Sequence, residues 1–152
     1  PYCENKGVLI NIVLKTSNIR YEGIEQKAYE LVKHYGMEDY IIWSSFLAES
    51  VGIIKKLDSK AKTGVLAMSL EECIVMARKT HADALHPYIG GLYGLPEDMK
   101  NMPVRAWNGE EPFFNDGAPL LEKHLEKYRY YGATDIFTNL PEKYVNMVND
   151  KQ

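Results

Sequence analysis

Short apolar runs of strand length alternate along this chain with longer stretches whose apolar residues recur at helical spacing, and that alternation restricts the fold to βα units. The first run, Val8–Leu14, ends at Lys15. Glu22–Tyr35 follows, with Ile24, Ala28, Leu31, Val32 and Tyr35 on one helical face and Gly36 as its stop. Tyr40–Ser45 reads as a second strand, and Leu47–Ser59 as a helix through Leu47, Val51 and Ile54. Lys62–Ala67 is a third strand. Ser69 and Glu72 then form a capping box, each side chain expected to satisfy the other's free amide, ahead of a helix over Leu70–His81. Its stripe is Leu70, Cys73, Ile74 and Ala77. Ala82–His86, Pro103–Trp107 and Thr134–Thr138 complete a set of six strands. A short helix is expected near Pro96–Asn101, a longer one from Pro119 to Tyr131 with Gly132 behind it, and a last one at Pro141–Val148.

Strands joined by helical crossovers run parallel, because each crossover returns the chain to the same end of the sheet. No composition break, low-complexity tract or repeat interrupts the pattern, so residues 1–152 are expected to form one domain. A net charge of −3 leaves no basic excess for a phosphate backbone, which argues against a nucleic-acid partner. No apolar run approaches the length of a membrane span. Cys3 and Cys73 lie too far apart for a metal knuckle. They read as free thiols of a reducing compartment, the cytoplasm being favoured, although spacing leaves a single disulfide open. The chain starts at Pro1 rather than Met, from which a removed or omitted upstream segment is expected.

In a βα barrel the chemistry sits where strands end and the following loops begin. Those positions hold, in order, Lys15, Ser44-Ser45-Phe46, Met68, His86-Pro87, Trp107-Asn108 and Thr138-Asn139. This polar and aromatic set suits the mouth of a small-ligand site. Lys15, Phe46, His86 and Trp107 are the candidate substrate-binding residues. Each has a plainer alternative. Lys15 at a strand end also suits an ion pair, or a Schiff-base lysine for which no partner acid is identifiable. His86 equally suits a hydrogen-bonded structural histidine. Trp43 is expected in the core, and His124 packs on a stripe with Leu121, Leu125 and Tyr128. His34 and His81 fall at helix ends, where a cation suits the dipole. Phe113 and Phe114 occupy a loop, Glu110 and Glu111 read as solvated, and Asn139 as shaping the last turn.

Five segments in order carry a family resemblance. Ile10-Asn11-Ile12-Val13-Leu14-Lys15 is similar to an Asn-Ile-Glu-x-Lys strand, and Ile41-Ile42-Trp43-Ser44-Ser45-Phe46 to an Ile-x-Ser-Ser-Phe strand. Ala82-Asp83-Ala84-Leu85-His86-Pro87 resembles an Ala-Asp-x-x-x-Pro segment. Val104-Arg105-Ala106-Trp107 stands where a strand ends in Trp. Gly132-Ala133-Thr134-Asp135-Ile136-Phe137-Thr138-Asn139-Leu140-Pro141 resembles a closing Gly-x-x-Asp-x-x-Thr-Asn-x-Pro signature. Together they resemble the C-terminal portion of the glycerophosphodiester phosphodiesterase barrel.

The resemblance implies an α/β fold, a TIM-barrel-like parallel sheet with about six of the eight βα units. A full barrel has about 250 residues, leaving roughly 100 to be accounted for. It also implies a phosphoric diester hydrolase of lipid and glycerophosphodiester metabolism. Its partner would be a glycerophosphodiester or another phosphate-bearing small molecule, with Lys15 on a phosphate oxygen. The family's His-Arg-Gly turn, Glu-x-Asp metal pair and His-Asp motif do not occur here. Val13 stands where the family has a further metal-binding glutamate, and valine offers a hard cation no oxygen. The expectation is therefore no catalytic residue, no metal ligand and no cofactor in this chain itself. A divalent metal, Mg²⁺ or Ca²⁺, is implied only for a complete member. Six-eighths of a barrel would also leave two open sheet edges, from which a homo-oligomer is expected. The alternative function is a non-catalytic barrel remnant serving binding or self-assembly.

Overall fold

In a computed structural model, residues 8–88, 94–107, 125–126, 128–130, 132–138 and 141 are described. Strands β1 (Ile10–Val13), β2 (Ile41–Ser45), β3 (Lys62–Ala67) and β4 (Ala84–Pro87) form a parallel sheet in that order. Helices α1 (Ile24–His34), α2 (Ala48–Leu57) and α3 (Leu70–Thr80) are its crossovers. Two further short strands, β5 (Arg105–Ala106) and β6 (Asp135–Ile136), pair in parallel with each other. Isolated parallel bridges Leu85↔Val104 and Tyr88↔Trp107 join β5 to β4. The expected single sheet of six strands is thus four strands plus a pair, linked by two bridges. The reason is the shortness of β5 and β6, which make two ladder positions each.

The ladder fixes which side chains face which way, since the side-chain period of a strand is two. Val13, Ser44, Gly64 and Ala84 lie in one row, and Leu66 beside His86 in the next. The opposite face packs against the helices. There Val65, Ala67, Leu85, Val104 and Ala106 meet Leu70, Cys73, Ile74 and Ala77 of α3 in one apolar cluster. Ile41 and Trp43 join Leu14, Val32, Ile54 and Ala61 in a second. Trp43 is therefore a core residue, 2% exposed.

The helices begin and end much as periodicity predicts, with two corrections. The apolar stripe of α1 is narrower than expected, because Leu31 and Tyr35 are 59% and 70% exposed while Val32 is buried. The capping box is not reciprocal. Ser69 Oγ accepts from the Glu72 amide at 3.2 Å, but Glu72 Oε2 accepts from the amide of Met68 rather than that of Ser69. The short helix near Pro96 is one 3₁₀ turn, Glu97–Met99. Of the later helix, residues 125–126 and 128–130 are helical, with Leu125 and Tyr128 buried. Cys73 is a free thiol; burial drives its pKa up to about 12. Cys3, Glu110, Glu111, Phe113, Phe114, His124, Asn139 and most of the expected last helix lie outside the described residues.

Candidate functional site

All the strands run parallel, so their C-terminal ends share one rim. Phe46 follows β2 and Trp107 follows β5, yet their rings meet edge to face with centroids 5.6 Å apart. In a flat sheet the intervening three strand spacings would hold them about 14 Å apart. The sheet therefore curls, with the face opposite the helices on its concave side. A second contact says the same: His86 on β4 meets Phe137, just after β6, at 5.1 Å.

The rim cluster is aromatic. Trp107 also tilts against Tyr88 at 5.1 Å, and its indole Nε1 donates to the His86 carbonyl at 2.9 Å. That bond satisfies the indole N–H and fixes the ring's orientation. Phe46 remains 41% exposed. An open groove of about 720 Å³ starts at Phe46 and runs past Met68 and Glu72 to Val75 on α3. Lys15 follows β1 at the same rim and is exposed, between buried Leu14 and Thr16.

His86 occupies a different place from the other three candidates. The strand read as Ala82–His86 runs Ala84–Pro87, so His86 is inside the ladder, paired with Leu66, and 0% exposed. Its ring lies where a Cβ on Gly64 would be, which is why that strand position carries no side chain. Arg105 Nη1 approaches its Nε2 at 3.4 Å, while Nδ1 has no hydrogen-bond partner among the described residues. Burial first, and then the Arg105 charge, push its pKa down to about 3. The imidazole is neutral at physiological pH. The structure thus brings Phe46 and Trp107 into contact, leaves Lys15 on the same rim, and seats His86 beneath it.

Sequence reasoning missed Arg105 and Phe137 as concave-face residues and Tyr88 as a neighbour of Trp107. For Arg105 the signal was available, since it stands two positions before Trp107 and so faces the same side.

A divalent cation does not fit the described residues by themselves. Val13 sits on the concave face at the level of Ser44 with only methyl groups to offer. The nearby Asn11 Oδ1 already accepts from Ser44 Oγ at 3.0 Å. Among the described residues no group of three His, Cys, Asp or Glu side chains is arranged to hold an ion.

The fold and rim define a class: a parallel βα sheet curled as part of a TIM barrel, with its polar and aromatic strand ends gathered at one mouth. No protein-family model matches the chain. It is 30% identical over 145 residues to a glycerophosphodiester phosphodiesterase of Bacillus altitudinis, covering 95% of this chain and 57% of that protein. It is 32% identical over 146 residues to one from Caldanaerobacter subterraneus subsp. tengcongensis, covering 95% and 57%. A crystal structure of a glycerophosphodiester phosphodiesterase from Parabacteroides distasonis superposes with a TM-score of 0.71 at 18% identity. That match covers 99% of this chain and 61% of the other. The chain is thus similar over nearly its whole length to part of proteins named glycerophosphodiester phosphodiesterase, and its fold is that of part of such a barrel. It spans just over half the length of the curated relatives it matches.

Proposed function

We propose that this chain forms the C-terminal, substrate-facing portion of a glycerophosphodiester phosphodiesterase-like hydrolase and does not hydrolyse diesters by itself. The observation that carries the reading is the Phe46–Trp107 contact beside exposed Lys15 at one rim. A lysine ammonium at that position attracts a phosphate oxygen, as cations at strand ends of such barrels can. The aromatic pair offers an apolar wall for the glycerol or alcohol part of the substrate. What is missing is equally specific. Val13 supplies no oxygen ligand, and the only concave-face histidine described, His86, is buried and neutral. It is poorly placed to exchange protons with a bound ester.

Two measurements test this. Glycerophosphocholine incubated with the chain under Mg²⁺ or Ca²⁺ titration is expected to stay intact; turnover that climbs with metal overturns the claim of inactivity. Glycerol 3-phosphate is expected to bind, with affinity falling roughly tenfold in Lys15→Met, about the worth of one charge-assisted hydrogen bond.

A second reading, assembly with another copy, is favoured by one observation. Among the described residues β1 pairs only with β2, and at that open edge Val8, Leu9 and Ile10 are 40%, 45% and 39% exposed. Among the described residues no helix is long and apolar enough to cross a membrane. The free thiol of Cys73 favours a reducing compartment, with the cytoplasm the first choice.

A further inference from the structure

The loop leaving β1 is anchored by buried polar groups that lie outside the ligand-facing set. On one side of Lys15, the Leu14 amide donates to the Ser44 carbonyl at 2.8 Å, and Ser45 Oγ donates to the Leu14 carbonyl at 2.8 Å. On the other side, Thr16 is 2% exposed. Its Oγ1 accepts from the Tyr21 amide at 3.3 Å and from Arg20 Nη1 at 3.1 Å, folding the loop back on itself. Arg20 then reaches helix α1. Its Nη2 donates to Glu25 Oε2 at 3.0 Å, and Nη1 lies 2.9 Å from Oε1.

Glu25 is 1% exposed, and its Oε1 also accepts from Ser50 Oγ of α2 at 2.5 Å. A buried carboxylate is tolerated only when its lone pairs are filled and its charge is met. Burial pushes this one up, but the hydrogen bonds from Arg20 and Ser50 outweigh it, and the carboxyl is held below its ordinary range. The first turn of an amphipathic helix does not require such a group, since an apolar side chain would pack there at no charge penalty. What the carboxylate adds is a connection from α2 through α1 and Arg20 to Thr16, the residue that follows Lys15.

We propose that Glu25 is a positioning residue: through Arg20 and Thr16 it sets the loop that presents Lys15 to a phosphate ester at the mouth. The inference rests on the phosphate role of Lys15, and its test separates the two. Hydrogen exchange of residues 14–23 and calorimetric binding of glycerol 3-phosphate are measured for the whole chain, Glu25→Gln, Arg20→Gln and Arg20→Lys. Arg20 is partly exposed, so its variants remain informative where Glu25→Gln fails to fold.

In Glu25→Gln and Arg20→Gln, exchange in 14–23 is expected to accelerate roughly tenfold with β2 and β3 unchanged, and Arg20→Lys to recover part of the protection. Glycerol 3-phosphate affinity is expected to fall about fivefold, and by less than about twofold when Lys15 is already methionine. Unchanged exchange in 14–23 overturns the proposal. So does an affinity loss of equal size with and without Lys15, which would make the effect global. Absence of Lys15-dependent binding in the wild type overturns the phosphate reading and the presentation of Lys15 to an ester with it. The exchange rates still decide whether Glu25 anchors the loop.

Discussion

His86 and Gly64 are neighbours on adjacent strands, and each explains the other. The imidazole lies over the position that any Cβ on Gly64 would need. Gly64→Ala is therefore expected to destabilise the fold by about 1–3 kcal/mol in urea titration, the usual cost of overpacking a filled core. Gly52 is the control. It lies inside α2, and an added Cβ there meets nothing closer than Thr80 Cγ2 at 4.0 Å. Gly52→Ala is expected to raise stability by roughly 0.5–1 kcal/mol. An equal response at the two sites would mean that His86 does not fill the space over Gly64.

The same histidine makes a pH prediction. Its folded pKa, about 3, lies below the ordinary 6.5, so below 6.5 the unfolded chain binds a proton that the folded chain refuses. Stability present above pH 6.5 is then lost as pH falls toward 3. Glu25, also depressed, acts in the same direction but lower, beneath the ordinary 4.5. The urea midpoint should thus already drop between pH 7 and pH 5.5, and His86→Leu should flatten that interval. A wild-type midpoint that is level across it would place the imidazole in contact with solvent.

At the scale of elements, α3 shows how local rules and the fold agree. Ser69 has extended backbone angles, φ −135° and ψ 159°, and its hydroxyl takes the Glu72 amide. Ser69→Ala should cost about 1 kcal/mol, as loss of an N-cap usually does, and Ser69→Asp should restore it; thermal melts of both measure this. The Ser-x-x-Glu spacing announced the cap. It could not announce that Glu72 would turn to the Met68 amide, because that choice depends on how the strand end bends into the helix. Strand ends were the weakest reading for a related reason. The strand was expected to stop at His86, yet Pro87 occupies the last ladder position opposite Ala67. A proline is tolerated there because the strand ends with it. One residue of strand moved His86 from the rim to the interior.

For the whole molecule the edge of β1, which among the described residues pairs only with β2, is the consequential feature. If assembly follows from it, weight-average mass in sedimentation equilibrium should rise with concentration. Ile10→Lys, placing a charge on that edge, should hold the chain monomeric. A wild type that stays monomeric at the highest concentrations removes the assembly reading and leaves the phosphodiesterase relationship untouched.

Periodicity was enough to locate nine helices and strands among the described residues, their parallel sense, and the alternation that points Asn11 and Val13 to one side. These follow from local spacing, because strand and helix repeats are properties of a few neighbouring residues. The Phe46–Trp107 contact, the burial of His86 under Phe137, and the reach of Glu25 to Ser50 belong to the tertiary structure alone. Each joins side chains from separate elements, and whether they meet depends on how far the sheet curls and how the helices lie on it. Curvature is the sum of small twists and register offsets along several strands, and no single stretch of residues encodes it.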